Sequence, residues 1–286
     1  MDKQIYNMEN IDIAWCPGCG NFGIRNVLMQ VMADIGLEPN KTVIVSGIGQ
    51  AAKMPHYVRT HAFNGLHGRA LPAAVAIKAV NPELTVIVDS GDGDMYGEGG
   101  NHFIHNIRRN ANITAFIHNN MVYGLTKGQA SPTSQRGFQT PVQVNGVILE
   151  PFNPVAVAIA LDTPFVARAN IGDRDQAGSI FKQAIEFNGF SVVDVFQPCV
   201  TYNKVNTYDW FKENTYSLDD SYYPSNRNKA FQKAIETDPL PLGVIYKNEN
   251  KKTFENSLSV YEHDKTVLYE RAERRAELQA LIDSYQ

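Results

Sequence analysis

Five runs of the chain are apolar almost without interruption: KTVIVS (residues 41–46), LTVIVDS (84–90), ITAFIHN (113–119), FVARA (165–169) and FSVVDVF (190–196). Each has the length of a strand and is rich in Val and Ile. A strand with one face in water alternates apolar and polar residues. A strand that does not alternate is covered on both faces, as in helix-flanked parallel sheets. The intervals between the runs carry helical spacing. Residues 22–35 bring Ile24, Val27, Leu28, Val31, Met32 and Ile35 toward one stripe. Residues 71–80 are Ala-rich with Pro72 in the first turn, residues 101–109 and 175–187 fill later gaps, and Pro154 opens a short helix to residue 161. The repeated strand–helix–strand rhythm predicts an α/β fold, an open parallel sheet with helices on both faces.

The texture changes after Cys199. Residues 201–220 are polar and aromatic without a clear period. We therefore divide the chain into an α/β domain over residues 1–200 and a C-terminal extension over 201–286. In the extension, GVIYKNE (243–249) reads as a short edge strand and residues 264–286 as a terminal amphipathic helix. A formal net charge of -4 gives no bulk attraction to nucleic acid or to an anionic membrane. No apolar run approaches the length of a membrane span, and the N-terminus lacks the apolar core of a secretory signal, so a cytoplasmic location is expected. Three cysteines cannot all pair within one chain, which favours metal, redox or burial over a disulfide framework.

The segment richest in chemistry is GDGD, residues 91–94, directly after a predicted strand. Gly91 and Gly93 permit a tight turn and close backbone approach to a diphosphate. Asp92 offers a hard oxygen to Mg²⁺. The next predicted strand ends in Asn119 and Asn120. One strand–loop–helix–strand unit places Asp92 and Asn120 at the C-terminal edges of neighbouring parallel strands, where open α/β sheets bind ligands. A lone Gly-Asp-Gly is also ordinary turn chemistry.

GDG followed by NN at this spacing resembles the thiamine-diphosphate motif. The resemblance makes Asp92, the Asn120 side chain and the Val122 carbonyl the ligands of a Mg²⁺ that bridges the diphosphate. Five ordered blocks narrow it further: DIAWCPGCGNFGI, SGIGQAAKMPHY, LHGRALPAAVAIKAVNP, GDGDMYGEGGNHFIHNIRRN and NNMVYGLTKGQASPTS. Together they resemble the β subunits of the 2-oxoacid:ferredoxin oxidoreductases, with WCPGCG closer to the 2-oxoglutarate branch than to the pyruvate branch. The likeness covers residues 11–199, and the last 87 residues of the 286 add little to it.

That resemblance implies coenzyme A-dependent oxidative decarboxylation of a 2-oxoacid, with electrons passing through an iron–sulfur cluster to ferredoxin. It gives Ile48, Gly49, Gln50 and Ala51 the loop that cradles the cofactor. His67 is placed at the cofactor, and Gly93, Gly124 and Leu125 line the diphosphate and thiazolium. Lys53, His67 and Leu125 are the residues expected at the reacting end, Lys53 beside the anionic substrate or coenzyme A. Lys127, Gln129 and Ser131 fall in a loop able to close over the site. The glutamate that thiamine enzymes need at the aminopyrimidine comes, in this family, from a partner subunit. The chain is thus expected to work only with an α, or fused α/γ, subunit. A non-redox thiamine-dependent decarboxylase or synthase subunit, and a non-catalytic partner with a retained cofactor fold, are the competing readings.

The family's [4Fe–4S] ligands are a CxxC, a cysteine in a GIGC loop and one after the last core strand. Cys16, Cys19 and Cys199 match three of them, and the loop position is Gln50. Three readings stand: a four-iron cluster with a non-cysteine ligand, a three-iron cluster, or no cluster. Losing one thiolate removes a negative charge and should raise the reduction potential.

Overall fold

The computed structural model describes residues 1–272 and 275–285. Among them, eight strands form one sheet in the order β2-β1-β3-β4-β6-β5-β8-β7. The strands are β1 (Thr42–Ser46), β2 (His61–Asn64), β3 (Thr85–Gly91), β4 (Thr114–Asn119), β5 (Phe165–Asn170), β6 (Ser191–Phe196), β7 (Thr215–Ser217) and β8 (Leu240–Lys247). All neighbouring pairs run parallel except β5 with β8.

The sheet is buried on both faces because its apolar residues point alternately to two cores. Val43, Val45, Val86, Val88, Ala115 and Ile117 face helices α2 (Ala70–Val80), α3 (Gly100–Arg109), α4 (Pro154–Ala160) and α7 (Arg227–Ala234). Ile44, Ile87, Phe116, Val193 and Val195 face α1 (Gly20–Asp34) and α5 (Arg174–Glu186). Helix termini follow the local chemistry. Asn153 and Asp173 cap α4 and α5 by accepting from Ala156 and Gln176 backbone N–H groups, and Pro154 begins α4, where a missing N–H costs nothing. Asn110 ends α3 in the left-handed conformation.

The sheet departs from the sequence expectation at its margins. β2 escaped notice because all four of its residues are exposed, so it has no apolar signature. The strand expected at 243–249 is not an edge: β8 sits between β5 and the three-residue β7, and it runs antiparallel to β5. Helix α6 (Tyr208–Glu213) lies in the stretch that showed no period, and α7 lies just beyond it. The terminal helix expected over 264–286 includes residues 273, 274 and 286, which lie outside the described residues. The described part holds a short 3₁₀ turn, Leu268–Glu270, and α8 (Arg275–Asp283), which buries none of its described side chains. No helix among the described residues is long and apolar enough to cross a membrane.

The connection from β1 runs to β2 on one side, whereas that from β3 runs to β4 on the other. The loops therefore diverge between β1 and β3 and open a crevice at the C-terminal edge. Phe116, fully buried at the centre of β4, packs against Phe181 of α5 with ring centroids 4.3 Å apart and the rings tilted by 37°. Phe116→Ala should cost about 3–5 kcal/mol of unfolding free energy in urea titration.

Candidate active site

Three loops meet in the crevice: residues 47–51 after β1, 91–94 after β3 and 120–126 after β4. They border a cleft open to solvent and lined by Ile48, Gly49, Gln50, Ala51, His67, Asp92, Gly93, Asn120, Val122, Gly124 and Leu125 among others. Every residue expected at the cofactor or at Mg²⁺ thus lies on one wall system. His67 and Leu125 sit at the exposed mouth. Lys53 is not among the lining residues; its ammonium donates to the Ala14 carbonyl at 3.3 Å, on the side of the N-terminal segment. Gln129 pairs its backbone with Tyr123, so the segment carrying Lys127 folds back as a tight loop over the end of β4.

Asp94, the second aspartate of GDGD, organises the cleft. Its Oδ1 accepts the backbone N–H of Ile48 at 3.1 Å and of Gly68 at 2.7 Å, and Oδ2 accepts the Ser90 hydroxyl at 2.5 Å. One carboxylate therefore joins the β1 loop, the segment before α2 and the end of β3. Burial pushes its pKa up, and these three hydrogen bonds pull it back. Its approach is tight enough to require glycine: a Cβ at Gly47 would lie 1.9 Å from Asp94 Oδ2, and one at Gly68 would lie 2.3 Å from the backbone of residues 98–99. Gly93 is equally constrained, since its Cβ would meet the Tyr123 ring at 2.2 Å.

Asp92 is 2% exposed, and burial pushes its carboxyl up to about 6 against hydrogen bonds from Ser131 and Thr133. Thr133 Oγ1 lies 2.6 Å from Asp92 Oδ2 and 2.9 Å from Asn119 Oδ1. A hydroxyl has one proton to give, and the carboxylate is the stronger acceptor. Asn119 in turn donates to Asp194 at 3.1 Å, and Arg168 contacts Asp194 at 3.4 Å. A line of buried polar groups thus runs from Asp92 under β4 to β6 and β5. On the opposite face of the sheet, His118 joins Asp89 (2.7 Å) and Asn21 (2.8 Å), all buried. Asn21 lies in the first turn of α1, so His118 fastens the CxxC helix to the cleft floor.

A second, smaller pocket adjoins the cleft, lined by Trp15, Cys16, Cys19, Asn21, Gln50, Asn120, Gly124 and Cys199 among others. Gln50, Asn120 and Gly124 belong to both cavities. Burial pushes the Cys19 thiol up to about 11, the neighbouring Cys199 and Cys16 push the same way, and the Asn21 backbone N–H opposes them. The N-terminus of α1 reaches this place by close packing, since a Cβ at Gly20 would lie 2.5 Å from Gln197 Oε1 and one at Gly23 would lie 2.7 Å from Ile171. Among the described residues, no three His, Cys, Asp or Glu side chains converge on a single-ion site.

Sequence reasoning did not single out Asp94, His118, Thr133 or Tyr123. The repeated aspartate in GDGD was the one available signal. The other three act through contacts across 14 or more positions, as with Thr133 and Asn119, which spacing alone does not reveal.

Comparison with known proteins identifies the family. The family model for the thiamine pyrophosphate enzyme, C-terminal TPP-binding domain, matches residues 42–195. The model for the C-terminal part of the pyruvate ferredoxin oxidoreductase beta subunit matches 199–263. The 2-oxoacid:ferredoxin oxidoreductase subunit beta of Saccharolobus solfataricus is 43% identical over 259 residues, 86% of this chain and 85% of that protein. The chain belongs to the β subunits of the 2-oxoacid:ferredoxin oxidoreductases. The 2-oxoglutarate synthase subunit KorB of Archaeoglobus fulgidus is 39% identical over 239 residues, covering 84% of this chain and 86% of that one. The solved 2-oxoglutarate:ferredoxin oxidoreductase of Magnetococcus marinus, with 2-oxoglutarate, coenzyme A and succinyl-CoA bound, matches with a TM-score of 0.92 at 32% identity, over 98% of this chain and 96% of that one.

This chain is therefore one subunit of a thiamine-diphosphate-dependent enzyme with an α partner, and the non-redox and non-catalytic readings fall away. The match over 199–263 also corrects the expectation that the last 87 residues of the 286 carry little of the likeness. Gly47→Ala should displace Asp94 and weaken thiamine diphosphate binding by about tenfold or more in calorimetry on the co-purified complex. Gly100→Ala, where a Cβ meets nothing within 4 Å, should leave it unchanged.

Proposed function

We propose that the cleft between the β1, β3 and β4 loops holds thiamine diphosphate with Mg²⁺, and that the adjoining cavity holds an iron–sulfur cluster. In the complex with its α, or fused α/γ, partner, the chain then carries out coenzyme A-dependent oxidative decarboxylation of a 2-oxoacid of the 2-oxoglutarate class, with ferredoxin as electron acceptor. The observation that carries this reading is the shared wall: the cofactor cleft and the three-cysteine cavity meet at Gln50, Asn120 and Gly124. The Magnetococcus protein, with 2-oxoglutarate and succinyl-CoA bound, supports the substrate class.

The residues fit these groups. Asp92 is a buried carboxyl held part-way to protonation by desolvation, and a divalent cation beside it would favour its charged form. Asn120 and the Val122 carbonyl stand at the end of the neighbouring strand to complete the set, as the cleft lining allows. Gly93 gives the diphosphate backbone access. When bound, thiamine diphosphate supplies a nucleophilic carbon and an electron sink for loss of CO₂.

The chain's own work is to hold that cofactor. Asp94 fixes the two loops over it, Thr133 and Ser131 orient Asp92, and His67 and Leu125 shape the open end where the 2-oxoacid enters. Lys53, outside the cleft lining, is assigned to the approach of the anionic substrate or coenzyme A. The loop with Lys127, Gln129 and Ser131 is assigned to closure.

Cys16, Cys19 and Cys199 are free and line one pocket, and iron would take them as thiolates. A cluster takes one thiolate per iron, which suits sulfurs that do not converge on a point. Free thiols also suit a reducing compartment such as the cytoplasm. Residues 1–200 carry both sites in this reading, and 201–286 is an extension that widens the sheet.

The test is a panel of 2-oxoacids with the co-purified complex, reading reduction of ferredoxin or viologen together with iron and sulfide content. Reduction with 2-oxoglutarate or pyruvate is expected, and silence with every 2-oxoacid would overturn the proposal. Asp92→Asn should abolish the thermal stabilisation that thiamine diphosphate plus Mg²⁺ confers on the complex, read by calorimetric scanning. Thr133→Val should weaken it by roughly tenfold in cofactor affinity, as expected for loss of a partner behind a metal ligand.

A further inference from the structure

Two residues lining the cysteine cavity carry a buried, unpartnered polar atom: Asn21, whose Nδ2 is a donor and no metal ligand, and Gln50, whose Oε1 is an acceptor. The other amide oxygens lining that cavity are engaged: Asn120 Oδ1 accepts the Val122 N–H at 3.1 Å, and Asn21 Oδ1 lies 2.8 Å from the His118 ring. Thr201 and Tyr202 are exposed at the rim. A desolvated acceptor with nothing to accept from is stabilised by an electron-pair acceptor, either a donor proton or a metal.

The position of Gln50 is fixed relative to the cysteines. Trp15, next to Cys16, donates its indole N–H to the Gln50 carbonyl at 2.8 Å. The indole is 6% exposed and is held edge-on by Phe22 and Tyr57, with centroids 5.3 and 4.9 Å away. A point built as Cβ on Gly124 lies 3.7 Å from Cys199 Sγ and 3.8 Å from Gln50 Cγ, so the Gln50 side chain and the Cys199 sulfur flank one place. Three thiols and one unpartnered amide oxygen thus border one cavity, brought there by three separate loops.

We propose that Gln50 ligates the fourth iron of the cluster through its side-chain amide oxygen, and that this iron is the exchangeable one. The inference rests on the cluster reading above. Thiolates are soft and anionic, whereas an amide oxygen is hard and neutral, so the iron at Gln50 is held less firmly than the three held by sulfur. With ferricyanide as oxidant, one electron leaves [4Fe–4S]²⁺ to ferricyanide, the Gln50 oxygen–iron bond and that iron's sulfide bonds break, and Fe²⁺ departs. [3Fe–4S]⁺ remains on Cys16, Cys19 and Cys199, and ferrous ion with an electron from dithionite reverses the change.

The experiment uses the β chain co-purified anaerobically with its α partner, as wild type, Gln50→Cys, Gln50→Glu and Gln50→Ala. It reads iron and sulfide content and the EPR spectrum before and after ferricyanide. The wild type should release ferrous ion and develop the signal of an oxidised three-iron cluster. Gln50→Cys should suppress that signal, with iron release roughly tenfold slower or more, as expected for a soft anionic ligand. Gln50→Glu, which keeps an oxygen donor and adds charge, should fall between the two. Gln50→Ala should be isolated already in the three-iron form. Equal iron content and equal release in wild type and Gln50→Ala, or equal release in wild type and the Cys and Glu variants, would overturn the ligand assignment. Absence of iron and sulfide from the wild type and Gln50→Cys alike would overturn the cluster reading itself, while leaving thiamine diphosphate binding measurable by calorimetry.

Discussion

The central strands of this protein have no wet face, and that constraint decides where chemistry can occur. With helices packed on both sides of β1, β3, β4 and β6, polar side chains in the sheet must be paired or must leave at the strand ends. Arg168 with Asp194 and His118 with Asp89, 3.4 and 2.7 Å apart, are two such pairs. The loops at the C-terminal edge are the remaining outlet. Three neighbouring strands release three loops into one crevice, and the carboxylate of Asp94 ties the β1 loop and the segment before α2 to the end of β3 by accepting the backbone N–H groups of Ile48 and Gly68. The cleft is therefore set by backbone geometry first and by side-chain chemistry second.

Much of the fold was legible because burial on two faces erases alternation, and that erasure is visible in KTVIVS, LTVIVDS and ITAFIHN. The same logic explains what was hidden. The exposed edge strand β2 has no apolar requirement to print in its sequence, and the helices α6 and α7 are short and bury few residues. The places of Asp92 and Asn120 in the cleft were legible because they follow from strand-end position. Asp94 was not, because what it does is accept from Ile48 and Gly68, and only the folded chain brings those N–H groups together. Lys53 shows the opposite limit: three positions from Gln50 in sequence, it turns toward the N-terminal segment instead of the cleft.

The buried polar groups under the sheet edge are better understood as orientation than as stability. A buried ion pair such as Arg168 with Asp194 contributes little net free energy once desolvation is counted. Its reach is geometric: Asp194 holds Asn119 and Tyr96, and Thr133 lies between Asn119 and Asp92. In the proposed role of Asp92 as a Mg²⁺ ligand its carboxyl must be held in orientation, and the groups around it are supplied by three strands and the segment after β4.

The partition between the two cavities is a single residue thick at Gln50, Asn120 and Gly124. Mutational drift at any of these three positions is consequently read twice, once by each chamber.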